Sequence, residues 1–183
     1  GKTVRLADYK GKYVVLEWTN PECPFVRKHY SSGNMQSLQK EWGGRDVVWL
    51  AINSTSADHS EFKSPREMSD WMQTQGAAPA ATLLDSTSGA GRAYGAKTTP
   101  HMFVVDPAGK VVYAGAIDDK RSANPADAKT AHNYVRAALA EATLTRPAVG
   151  GYVTEGKQGI HSEHLGFLLA EMQAAQNPNL GKG

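Results

Sequence analysis

Two six-residue runs constrain this chain most. Tyr13-Val14-Val15-Leu16-Glu17-Trp18 and Val47-Val48-Trp49-Leu50-Ala51-Ile52 are short, apolar and rich in β-branched residues, which is the composition of buried strands. What lies between them has another period. After Pro24, the residues Phe25, Val26, His29 and Tyr30 recur at helical spacing, and a second helical stretch runs from Met35 through Leu38 to Trp42 before Gly43-Gly44 interrupts it. Ser64-Pro65-Arg66-Glu67 reads as a helix start, with Ser as N-cap, Pro at the first helical position and Glu placed for a capping box. Met68, Trp71 and Met72 supply that helix's apolar face.

Ala81-Thr82-Leu83-Leu84-Asp85 fits a short strand, followed by a helix through Gly91-Arg92-Ala93-Tyr94-Gly95. A hairpin follows, with strands at His101–Asp106 and Lys110–Gly115 around a Pro107-Ala108-Gly109 turn. The spacing predicts a last amphipathic helix over 126–142, with Ala131, Tyr134, Val135, Ala138 and Leu139 inward. This order predicts an α/β fold, a central mixed β-sheet flanked by helices.

The 183 residues suffice for one domain with a proper core and some excess. Thr145-Arg146-Pro147-Ala148-Val149-Gly150-Gly151 has the Pro/Gly content of a linker, so the expected division is a domain over 1–146 and a linker with a helical tail over 147–183. A tail helix is predicted over 162–176, with Leu165, Leu168, Leu169, Met172 and Ala175 on one face, and Asn177-Pro178 stops it. A net charge of +2 argues against nucleic acid and anionic membrane as partners. No window approaches the ~18 apolar residues of a membrane span, and Gly1-Lys2-Thr3-Val4-Arg5 lacks the apolar core of a secretory signal. His161 and His164 share a helical spacing but supply too few ligands for a zinc site, so no metal is expected.

Cys23 is the only cysteine, so no disulfide can close within the chain. It stands where the first strand gives way to a helix, with Pro24 suited to the first helical position and Cys23 therefore at the N-cap. The positive end of a helix and its unpaired N–H groups favour a thiolate, the nucleophilic form of cysteine.

A strand, a cysteine at a helix start, then Thr98-Thr99-Pro100-His101-Met102-Phe103 leading into a hairpin strand is a layout that resembles the thioredoxin-like superfamily. Within it, Glu22-Cys23-Pro24-Phe25-Val26-Arg27-Lys28-His29-Tyr30 and Ser32-Gly33-Asn34-Met35-Gln36 resemble a redoxin subgroup of thiol-disulfide or hydroperoxide-reducing proteins, over residues 1–146. The tail Gly156-Lys157-Gln158-Gly159-Ile160-His161 onward instead resembles the end of a phenylacetyl-CoA epoxidase structural subunit. The redoxin resemblance implies a thioredoxin-like fold, antioxidant activity, no cofactor, and a periplasmic or secreted location, with the cytoplasm left open. It also implies a cis bond before Pro100, which would present the Thr99 backbone to an extended substrate, with His101 bordering the site. Three departures limit the chemistry. Val26 replaces the second cysteine of Cys-x-x-Cys, Leu16 and Asn20 stand where peroxiredoxins carry Pro and Thr, and the Arg146-Pro147-Ala148 segment lacks a later thiol.

The residues expected to carry function are then Cys23 as nucleophile and Glu17, six positions earlier where the resemblance to thioredoxins implies a buried acid, exchanging protons with it, the alternative being a Glu17 on a sheet edge that points to water. Pro24, Arg27, Thr99, Pro100 and His101 are expected at the substrate site. Arg27 and Lys28 add positive potential or simply meet water, His29 is expected to pack or hydrogen-bond, and Asp118-Asp119 reads as an acidic loop pair. The expected function is a single-cysteine thiol oxidoreductase reducing peroxide or disulfide. Its partners would be an external thiol or thioredoxin-type reductant and a protein or peroxide substrate. The alternative is a non-catalytic thioredoxin-fold module that binds a peptide or protein.

Overall fold

In the computed structural model, residues 2–144 and 172–174 are described. Strand β1 (Thr3–Val4) leads to β2 (Tyr13–Trp18), then to helices α1 (Pro24–Ser31) and α2 (Asn34–Trp42), and back to β3 (Val47–Asn53). Helix α3 (Pro65–Thr74), β4 (Ala81–Leu84), α4 (Gly89–Tyr94), the hairpin β5 (His101–Val105) and β6 (Val111–Gly115), and α5 (Tyr134–Leu144) follow, with β7 at Met172–Ala174. The sheet order is β1-β7-β4-β3-β2-β5-β6. Strand β2 is parallel to β3 and β3 to β4, whereas β2–β5 and β5–β6 are antiparallel. The result is a mixed sheet with helices on both faces.

Burial explains why the two opening runs form its centre. All residues of β3 are buried, and so are all of β2 after Tyr13. Alternation then divides the core. Val15, Trp49, Ala51, Met102 and Val104 face Val26 and Tyr30 of α1, Met35 and Leu38 of α2, Met68 of α3, and Val135 and Leu139 of α5. Leu16, Trp18, Leu50, Ile52, Phe103 and Val105 pack on the other face with Ala90 and Tyr94 of α4. The start of α3 is fixed as expected, since Ser64 Oγ accepts from Glu67 N–H and Glu67 Oε2 accepts from Ser64 N–H. The hairpin turn is closed by Asp106 Oδ1, which accepts from Ala108 and Lys110 N–H, with Gly109 at φ 88°.

Two expectations need correction. The helix expected over 126–142 is in fact a 3-10 turn (Pro125–Lys129) and a separate α5 that starts at Tyr134. The chain breaks between them because Asp119 Oδ1 takes the His132 N–H, and Asn133 Oδ1 caps the new helix by accepting from Arg136 N–H. Tyr134, expected inward, is exposed, and Val135 and Leu139 carry the buried face. Of the tail helix expected over 162–176, Met172–Ala174 are instead a strand, antiparallel to both β1 and β4. The unpaired ladder groups along β4 offer backbone hydrogen bonds there that a helix would not use. The rest of that helix, the 145–151 linker and the His161–His164 pair lie outside the described residues.

Candidate active site

Strand β2 ends at Trp18 and the chain turns through Asn20-Pro21-Glu22 into α1. Asn20 builds the turn twice over, accepting Glu22 N–H on Oδ1 at 2.9 Å and Cys23 N–H on its carbonyl at 3.0 Å. Its amide reaches Glu61 at 2.7 Å, and Lys63 pairs with Glu22 at 3.0 Å, so the 61–63 segment buttresses the turn. Arg27 closes it from the helix side, donating through Nε to the Pro21 carbonyl at 2.8 Å and pairing with Glu22.

This places Cys23 at the N-cap of α1, with φ −71° and ψ 124°, and Pro24 in the first helical turn. Cys23 is half-buried. Its carbonyl accepts Arg27 N–H at 3.0 Å, and its side chain makes no capping bond. Pro24 has no N–H, so Phe25 and Val26 are left as the helix-start donors without a protein acceptor among the described residues. The Cys23 thiol instead donates to the Thr99 carbonyl at 3.0 Å. Thr99 and Pro100 are joined by a cis peptide bond. His101 opens β5 opposite Trp18, stacks on Phe103 with ring centroids 4.5 Å apart, and accepts Lys97 N–H on Nδ1 at 3.3 Å. Burial first, then Lys97, lowers its pKa, so the imidazole is neutral at neutral pH. The structure thus brings Cys23, Pro24, Thr99 and Pro100 together, with Arg27 bracing the turn and His101 one residue beyond Pro100.

Glu17 lies in the core at 0 % exposure, not at an edge. Its Oε1 accepts from Tyr30 Oη at 2.8 Å and its Oε2 from Trp49 Nε1 at 2.7 Å, with Gln39 Nε2 farther off at 3.5 Å. Desolvation raises its pKa, and these donors, Trp49 foremost, pull the other way. Among the described residues no hydrogen bond joins it to Cys23.

Lys28 and Asp118, read from sequence as solvated groups, are a buried ion pair. Lys28 Nζ lies 3.2 and 3.0 Å from the Asp118 carboxylate oxygens and 2.9 Å from the Lys120 carbonyl, with the side chains 1 % and 5 % exposed. His29 beside it contacts Asn34 through Nδ1 at 2.9 Å and sits 3.8 Å from Asp118. Burial lowers its pKa to about 4, with Asp118 opposing and Lys28 assisting. Sequence reasoning also missed Tyr30, Gln39 and Trp49. The signal that could have found one of them was parity, since Trp49 pairs with Val15 and so shares the sheet face of Glu17.

Comparison with known proteins agrees with this architecture. The AhpC/TSA family model matches residues 1–114, and the chain belongs to that family. An uncharacterized conserved protein from Geobacillus kaustophilus is 32 % identical, with a TM-score of 0.61, over 68 % of this chain and 65 % of that one. A putative thiol:disulfide interchange protein DsbE from Chlorobium tepidum is 21 % identical, with a TM-score of 0.56, over 76 % and 85 % of the two chains, a likeness that shows the thioredoxin-like fold. A short local likeness, 55 % over 42 residues, joins the chain to a component of the 1,2-phenylacetyl-CoA epoxidase of Escherichia coli K12. It covers 23 % of this chain and 17 % of that component, so the chain spans a minor part of its curated relative and 65 % of the Geobacillus protein.

Proposed function

We propose that this AhpC/TSA-family chain is a thiol-dependent oxidoreductase that turns over through Cys23 alone and takes its second thiol from another molecule. One observation carries the reading. Cys23 is half-buried at a helix start whose Phe25 and Val26 N–H groups have no protein acceptor among the described residues, its sulfur 3.0 Å from a backbone carbonyl that a bound chain could use. Unsatisfied N–H groups at that end stabilise a thiolate, or the oxygen of a sulfenate.

With a peroxide, the thiolate attacks one oxygen, the O–O bond breaks, and the leaving alkoxide takes a proton to give an alcohol and Cys23 sulfenic acid. An external thiol then expels water to form a mixed disulfide, and a second thiol releases Cys23 and carries away the disulfide. With a disulfide substrate the thiolate enters directly at the mixed-disulfide stage. An extended peptide would lie along Thr99, its N–H replacing the Cys23 thiol at the Thr99 carbonyl. A periplasmic or secreted location belongs to the proposal, where mixed disulfides outlast those exposed to cytosolic glutathione.

The test is dimedone trapping after mild peroxide, with mass spectrometry of the Cys23 peptide, beside incubation with glutathione disulfide. Adducts at Cys23 that vanish in Cys23→Ser are expected. An inert Cys23 in both assays sinks the reading and leaves the peptide-binding module as its replacement.

A further inference from the structure

Thr19 sits just past β2 but still follows its pleat. Its N–H donates to the Ile52 carbonyl at 2.8 Å, and its carbonyl accepts Asn53 Nδ2 at 3.1 Å. Alternation therefore puts Val15, Glu17 and Thr19 on one face. That is the face of the Val15, Val26 and Tyr30 cluster, against which Cys23 also packs, whereas Leu16 and Trp18 belong to the opposite cluster. Along this face the order is Glu17, then Thr19, then the turn that delivers Cys23.

Thr19 is 1 % exposed, and its hydroxyl is one of the few buried side-chain groups without a hydrogen-bond partner among the described residues. An unpaired buried hydroxyl is destabilising, and valine would fill the same space without that cost. The main chain of Thr19 is satisfied on both sides, so what the position leaves over is the hydroxyl. On the shared face it is the next side chain after Glu17, without a hydrogen bond to that carboxyl.

We propose that the Thr19 hydroxyl is the proton relay between the Cys23 thiol and the Glu17 carboxyl, an inference that rests on Cys23 being the working thiol. When a bound substrate takes the Thr99 carbonyl, the thiol is freed to turn to Thr19 Oγ1, and the Thr19 hydroxyl, which holds no other partner among the described residues, turns to the Glu17 carboxylate. The thiol proton passes to Thr19 as the Thr19 proton passes to the Glu17 carboxylate, leaving a thiolate and a neutral carboxylic acid. The reverse transfer protonates Cys23 when an external thiol attacks the mixed disulfide and Cys23 departs. Tyr30 is the titratable group against Glu17, with Gln39 and Trp49 as its neutral donors. The charged groups around the Cys23 turn are Glu22 on it, Arg27 on α1, and Glu61 and Lys63 on the segment that buttresses it, with neutral His101 after the Thr99–Pro100 step. Lys28 and His29 of α1 form a separate buried cluster with Asp118 of the loop after β6.

The test follows release of Cys23 from its glutathione mixed disulfide by dithiothreitol, across pH, in the full chain. Thr19→Val is expected to slow release about a hundredfold, the low end of what general acid–base catalysis supplies, and to flatten the pH profile. Thr19→Ser should stay within about twofold of the parent, and Glu17→Gln with and without Thr19→Val should release Cys23 at one rate. Because Thr19→Val removes an unpaired hydroxyl, its melting temperature should be unchanged or higher, which separates relay loss from structural damage. A Thr19→Val variant that releases Cys23 like the parent, a Thr19→Ser as slow as Thr19→Val, or a Thr19→Val effect undiminished beside Glu17→Gln overturns the relay alone. A parent Cys23 that forms no mixed disulfide overturns the oxidoreductase reading and the relay with it.

Discussion

Replacing Lys28 by Met tests whether the helix that carries Cys23 is held by a desolvated charge pair. Lys28 Nζ spends its three protons on both Asp118 oxygens and the Lys120 carbonyl, at 3.2, 3.0 and 2.9 Å. Neither side chain has an appreciable share of water, at 1 % and 5 % exposure. Methionine fills the space of the lysine stem but leaves the Asp118 carboxylate with the Lys120 N–H at 3.0 Å as its remaining close donor. An uncompensated buried charge of this kind costs about 3–5 kcal/mol. The loss should appear as a lower urea midpoint, followed by tryptophan fluorescence and circular dichroism, with an unchanged slope. Adding Asp118→Asn removes the stranded charge while keeping an acceptor for Lys120 N–H, so the double variant should recover more than half of the loss. A Lys28→Met cost below about 1 kcal/mol would mean that the pair behaves like a solvated surface bridge. A double variant as unstable as the single one would assign the loss to packing, and the electrostatic argument would fail.

Two further outcomes concern pH. His29 keeps a pKa of about 4 against an ordinary 6.5, so between those values the unfolded chain binds a proton that the folded one refuses. Its contribution is therefore present above pH 6.5 and lost as pH falls towards 4, on the order of 3 kcal/mol at most. His29→Gln should flatten that part of a stability–pH curve, and a curve as steep as the parent's would refute the assignment. Glu17 has the opposite sign, because its raised pKa makes the folded state the better proton binder above the ordinary carboxyl range. Stability from this group falls as pH rises through the window between its two pKa values, so Glu17→Gln should gain on the parent at pH 8 relative to pH 5 in urea titrations. An identical pH dependence for both would show that Glu17 is not desolvated.

The central strands were legible because β2 and β3 are buried on both faces and their sequences say so without interruption, whereas no local pattern announced the order of the sheet or its strands β1 and β7. Ser64 and Glu67 announced α3 by the same route, a local pattern with a local cause. The site was legible in part. Cys23 and Pro24 sit where a helix start requires them, and Thr99 lies opposite as the Thr-Pro step implied. What could not be read was pairing across long separation. Lys28 and Asp118 look like solvated charges until a loop ninety positions away closes over α1, and nothing local distinguishes them from Arg27, which is exposed. The single helix expected over 126–142 failed for a similar reason. Asp119 and Asn133 compete for backbone groups there, and helical periodicity carries no record of that competition.

Residues 27–30 show why the cysteine's surroundings are rigid rather than adaptable. Successive helical positions point about 100° apart, so four in a row sample every side of α1. Arg27 reaches the Pro21 carbonyl of the preceding turn, Lys28 the Asp118 loop, His29 the start of α2 at Asn34, and Tyr30 the Glu17 carboxylate of β2. Each side of the helix is thus tied to a different part of the fold by a polar contact, and Val26 adds an apolar one to the sheet. Under the proposed oxidoreductase reading, these four ties oppose any retraction of the helix N-terminus when Cys23 changes redox state. The cost of accommodating a sulfenate or mixed disulfide would then fall on the Cys23 rotamer and its contact with the Thr99 carbonyl. On that reading, a partner that takes the Thr99 carbonyl, more than any motion of α1, would release the thiol for reaction.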